Sequence, residues 1–118
     1  MKELKTKSKH ELLPGTLEML ILKTLSIESM HGYGIAQHIQ MLSADVLTIE
    51  EGSLYPALYR LEEQGLIASE WRPTENNRKA KFYALTRKGR AAAQAEHEAW
   101  LRLSKAVTRV LRALEQGA

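Results

Sequence analysis

A mainly α-helical fold with one small β-hairpin is what this sequence predicts, on three observations. Residues 52–67, GSLYPALYRLEEQGLI, put Leu54, Leu58 and Leu61 at i, i+4 and i+7, one apolar stripe on a helix. Two short alternating runs follow around a turn of Pro, Thr, Glu and Asn. Beyond them, Trp100, Leu103, Val107, Val110 and Leu114 step by 3, 4, 3 and 4, the seam pattern of a long helix that pairs with another.

Taken in order, residues 1–12 read as a flexible basic arm that becomes helical near its end, with Lys5, Lys7 and Lys9 able to add contacts. Pro14-Gly15 is a breaker, and Thr16 is placed to cap a first helix. Leu17, Leu20, Ile21, Leu25 and Ile27 give that helix a largely buried face, ending near Glu28. Residues 33–42 read as a short second helix with Ile35, Ile39 and Leu42 inward. A link over 43–47 follows, in which Asp45 is a turn residue.

The third helix is expected to start near residues 48–50, where Thr48 and Glu51 stand at capping-box spacing. Pro56 lacks the N–H that would pair with the Gly52 carbonyl, which predicts a bend or a late start. Gly65 stops the helix. Residues 67–72 alternate with Ile67, Ser69 and Trp71 on one side. Residues 80–85 alternate again, Tyr83, Leu85 and Lys81 sharing a face, around a turn at 73–77. The hairpin tip carries Arg78, Lys79 and Lys81. Thr86 then caps a last helix running to about Leu114, slightly weakened by Gly89. Leu101 and Leu111 widen its apolar stripe.

The 118 residues suit one modest core, divided as an arm over 1–12, a helix-and-hairpin unit over 13–86 and a long helix over 87–118. Hydrophobic residues make up 44% and charged residues 26%, and no apolar run nears the roughly 18 residues of a membrane span. The absence of cysteine excludes disulfides, thiolate nucleophiles and cysteine metal sites, and a cytoplasmic protein is the natural expectation. Net charge is +3. Residues 11–66 hold two basic and eight acidic groups, whereas 67–90 hold seven basic and two acidic. Such clustering supports a polyanion partner.

Three helices followed by two strands is the order of a winged helix-turn-helix, in which the third helix enters the major groove and the hairpin meets backbone or minor groove. Four stretches make the likeness specific: LPGTLEMLIL at 13–22, HGYGIAQHI at 31–39, residues 52–67, and KFYALTRKGR at 81–90. Over nearly the whole chain they resemble the PadR family of transcriptional regulators, of the shorter kind with a single carboxy-terminal helix. The resemblance implies a homodimeric DNA-binding protein, most often a repressor that responds to a small molecule.

On this reading Ser53, Tyr55, Tyr59 and Arg60 reach bases or phosphates from the third helix. Arg60 either reads guanine with its two-pronged fork or pairs with Glu62 or Glu63. Tyr55 either meets DNA or packs over the first helix with its hydroxyl wet. Arg78, Lys79 and Lys81 are expected on phosphates, adding affinity more than sequence choice. Trp100, Leu103, Val107, Val110, Leu111 and Leu114 are the expected dimer seam, which places two recognition helices about 34–36 Å apart on an inverted repeat. Some proteins resembling this chain bind planar aromatic compounds at the dimer interface, so Trp100 is either a stacking surface for a small aromatic effector or interface packing.

Other chemistries lack support. His10, His31, His38 and His97 are scattered without helper ligands, so no metal or other cofactor is expected, and His31 reads as shaping the turn before the second helix. Gly32-Tyr33-Gly34 follows no strand signal and lacks the rest of a phosphate-loop fingerprint. No catalytic arrangement stands out, and an enzyme is not expected. The alternative is an interaction module whose winged unit binds protein.

Overall fold

In a computed structural model of the chain, residues 12 and 15–117 are described. The arm expected over 1–12 lies outside them apart from Leu12. Helix α1 spans Thr16–Leu25, strand β1 Met30–His31, α2 Gly32–Leu42, α3 Glu51–Glu63, β2 Ile67–Pro73, β3 Lys79–Leu85 and α4 Arg87–Glu115. This is the winged helix-turn-helix followed by one long helix.

The apolar spacings place the core. Leu17, Ile21, Leu22 and Leu25 of α1, Ile35 and Ile39 of α2, and Leu54, Ala57, Leu58 and Leu61 of α3 are buried together with Ile67 and Tyr83 of the hairpin and Ala93 of α4. Two expected core positions fail. Ile27 is 77% exposed because α1 ends at Leu25, and Leu42 is 76% exposed as the last residue of α2.

Helix ends are decided by local groups, and several differ from expectation. Gly15, at φ 89°, is the residue before α1 and Thr16 is its first helical residue, with no side-chain cap. Helix α2 starts one residue early, at Gly32, because His31 precedes it: Nδ1 of His31 accepts the Gly34 N–H at 3.0 Å. Helix α3 starts later than expected, at Glu51, behind an extended Glu50, so Thr48 and Glu51 form no capping box. Pro56 then falls inside α3, in its second turn, and the helix continues through it. Gly65 ends that helix at φ 74°. Asp45 takes the left-handed conformation in the link, φ 67°, and its carboxylate accepts from Gln40 at 3.2 Å.

The hairpin registers Ile67 with Leu85, Ser69 with Tyr83 and Trp71 with Lys81. A third strand escaped the sequence reading: Met30 and His31 pair antiparallel with Tyr83 and Phe82, giving the order β1-β3-β2. Two residues carry no readable period, so only their partner reveals them as a strand. Thr86 caps α4 as expected, its hydroxyl accepting the Gly89 N–H at 3.0 Å.

Gly89 is more than a weak helix former. It is buried against the Leu66 backbone, and a Cβ placed on it would fall inside the Leu66 carbonyl, 2.8 Å from its carbon. The first turns of α4 are thereby seated on the body, and the remainder of the 29-residue helix, about 43 Å long in all, runs beyond it.

Candidate nucleic-acid interface

Helix α3 keeps Leu54, Ala57, Leu58 and Leu61 against the core and turns its other residues outward. Ser53, Tyr55, Tyr59 and Arg60 are all exposed. At about 100° per residue they do not share one face. Tyr59, 66% exposed, points outward with Gly52 and Pro56. Tyr55 and Glu62 line the side that meets the hairpin, and Arg60, with Ser53 on the same side of the helix, meets α1.

Each flank has its own tether. Arg60 donates from Nε (3.0 Å) and Nη2 (2.6 Å) to one carboxylate oxygen of Glu18 in α1. The partner is thus neither Glu62, which turns to Ser69 and Lys81 of the hairpin, nor Glu63. Tyr55 lies over the start of α2, not over α1: a Cβ at Gly32 would come within 2.9 Å of its ring and hydroxyl. Glycine at that position lets the ring settle while 44% of the residue stays accessible.

Between α3, the start of α2 and the hairpin runs a cleft lined by Tyr33, Tyr55, Tyr59, Glu62, Trp71 and Lys81. Lys81 is not at the tip. It lies along β3, its ammonium 3.9 Å from Glu62 and 6.0 Å from the centre of the Tyr83 ring. The other Glu62 oxygen accepts from Ser69 at 2.7 Å. Burial raises the Tyr83 phenol above its usual pKa, and the Glu62 carboxylate and then Tyr55 add to the rise. Arg78 and Lys79 are exposed at the tip, where the Thr74 N–H donates to the Arg78 carbonyl at 2.6 Å and Asn77 turns at φ 62°.

Sequence reasoning missed Tyr33, Trp71, Arg72, Glu18 and Glu62 around this surface. Trp71 is 65% exposed, and Arg72 stands 4.9 Å over the Phe82 ring while bonding Glu70 at 2.6 Å. The alternation of β2 signalled Trp71. Nothing local signals Glu18, which meets Arg60 across 42 residues of chain.

Helix α4 buries only Gly89 and Ala93. Trp100, Leu103, Val107, Val110, Leu111 and Leu114 are 43–62% exposed, on the face that continues from the two buried residues. Leu101 departs from the centre of that face by about 130°. Among the described residues no His, Asp or Glu cluster has metal-ligand geometry, and no helix is long and apolar enough to cross a membrane.

Comparison with known proteins agrees with this geometry. The profile of the transcriptional regulator PadR-like family matches residues 21–95. The chain is 32% identical over 98 residues to transcriptional regulator Rv3488 of Mycobacterium tuberculosis, covering 83% of this chain and 88% of that one. A PadR-family regulator from Eggerthella lenta superposes with a TM-score of 0.69 at 35% identity, over 82% of each chain. Another from Clostridium difficile gives 0.72 at 27% identity, over 82% of this chain and 99% of that one.

Proposed function

The chain belongs to the PadR-like family of transcriptional regulators, and from that premise we propose that it is a homodimeric repressor that binds an inverted-repeat operator. As a member of that family it is a DNA-binding regulator and not an enzyme. The observation that carries the reading is the cleft where Tyr55 and Tyr59 of α3 meet Trp71 and Lys81 of the wing, since a duplex seated on α3 also meets the hairpin. Ser53, Tyr55, Tyr59 and Arg60 face bases or phosphates. Arg78, Lys79 and Lys81 hold phosphates.

The exposed seam of α4 supports the dimer. Each large side chain it buries is worth about 1.5–3 kcal/mol, and a twofold partner offers the same stripe in return. A small aromatic effector stacking on Trp100 would change the distance between the two reading heads and release the operator. The proposed setting is the cytoplasm, where operator DNA lies.

Titration of the chain's own upstream DNA at 50 and 200 mM salt tests this. About six phosphate contacts per dimer lower affinity on the order of 10³-fold across that range. Neutralising Arg78 and Lys79 weakens binding to all sequences alike. A second reading, a protein-binding winged module, is favoured by one observation: α3 carries Glu51, Glu62 and Glu63 against a single cation that Glu18 already holds. Absence of any mobility shift at low salt decides for it.

A further inference from the structure

The charge of this molecule is not where the reading head is. Residues 15–86, which hold α3 and the wing, carry six cations against nine anions, and residues 87–117 carry seven against three. A body with net negative charge gains little from long-range attraction to DNA, so any electrostatic contribution beyond the wing's own phosphate contacts must be supplied from elsewhere. Within the described residues the surplus is on α4.

Between Glu98 and Glu115 that helix contains Arg102, Lys105, Arg109 and Arg112 and no carboxylate. Steps of three, four and three residues keep the four on one face over a rise of about 15 Å. All are exposed, and none makes an ion pair with a described residue. They stand roughly 130–170° around the helix from the Trp100–Leu114 seam. Closing the seam therefore leaves them in solvent, and a twofold dimer carries the row twice.

We propose that this row is a second DNA-contacting surface that holds phosphates of duplex outside the segment read by α3 and the wing. It rests on the DNA-binding reading above and adds where the missing positive charge acts. Four cations at a rise of about 5 Å each, on long flexible stems, match a run of backbone phosphates and carry no base preference. An anionic bilayer fits less well. A helix lying on lipid sinks its apolar face, and cations flanking that face reach the headgroups. Here the cations oppose the apolar face and would point away from the membrane.

The test uses the full chain and a variant with Arg102→Gln, Lys105→Gln, Arg109→Gln and Arg112→Gln, since glutamine keeps helix propensity close to that of the residues replaced. Circular dichroism and light scattering establish that its fold and oligomeric state match wild type. Affinity is measured against salt on a footprinted operator of about 20 base pairs and on the same operator centred in about 60. Wild type is expected to show a log–log salt slope steeper by about 7 on the long duplex, from two rows of four cations at about 0.9 per phosphate, with the difference gone in the variant and the short duplex unaffected. Equal slopes for wild type and variant on the long duplex overturn the proposal while leaving the operator reading intact. An equal loss on both duplexes also overturns it, by placing the row on the operator itself. Wild type that binds neither duplex defeats the regulator reading and this proposal together. Sedimentation with phosphatidylglycerol vesicles by wild type but not by the variant, with DNA slopes equal, assigns the row to lipid and overturns it too.

Discussion

Arg60 of α3 and Glu18 of α1 are joined by two hydrogen bonds, at 2.6 and 3.0 Å, that end on a single carboxylate oxygen. One edge of the guanidinium is committed, and its remaining N–H groups are free to point outward from a helix position that is 55% exposed at the side chain. A pair this open to water contributes about 0–1 kcal/mol to stability, so on the proposed DNA-binding reading its role is to aim the fork.

Substitution separates the two roles. Arg60→Lys is expected to weaken operator binding about 5- to 150-fold, the range for losing one bidentate base contact, with the thermal midpoint nearly unchanged. Glu18→Gln is expected to narrow the gap between operator and scrambled duplex while leaving stability within about 1 kcal/mol. Anisotropy titrations on both duplexes read this, and an Arg60→Lys protein with wild-type affinity reduces the pair to a surface contact.

Gly89 gives a test in which helix propensity and packing predict opposite signs. Alanine there gains about 1 kcal/mol of helix propensity. It also drives a methyl group into the Leu66 carbonyl. Backbone cannot yield as a side-chain tip can, so Gly89→Ala is expected to lose about 2–3 kcal/mol net and about 10 °C in thermal midpoint. A midpoint that rises shows that α4 is not seated as described.

Tyr83 predicts the alkaline limit of stability. Its phenol is raised in the folded state by burial first, then by Glu62 and Tyr55, so the neutral form is the one the fold accepts. The contribution is complete below the unfolded value near 10 and is lost as pH climbs through the higher folded value. Urea midpoints measured from about pH 9 to 11 should fall more steeply for wild type than for Tyr83→Phe, which has no phenol to ionise. Parallel curves would show that the ring titrates as though free in water.

The seam is tested by charge. Val107→Asp combined with Leu111→Asp places four carboxylates in a twofold interface and is expected to give a monomer by light scattering, with the helix content of α4 reduced. The winged body keeps its own core from α1, α2, α3 and the hairpin, so its thermal transition should persist. A stable dimer from this variant would move the interface elsewhere.

What the sequence determined by itself was the parts and their order. Apolar spacing set α1, α2 and α3, alternation set the hairpin, Thr86 marked the start of α4, and the family likeness in residues 52–67 and 81–90 pointed to DNA. These signals are local, carried by residues within a turn or two of each other, and so survive in a linear reading. The tertiary structure alone decided that Glu18 holds Arg60, that Tyr55 rests on Gly32, that β1 joins β3, that Lys81 turns to Glu62, and that Gly89 is required by Leu66. Each joins groups separated along the chain, and no period or propensity encodes a contact whose two halves meet only after the core has closed.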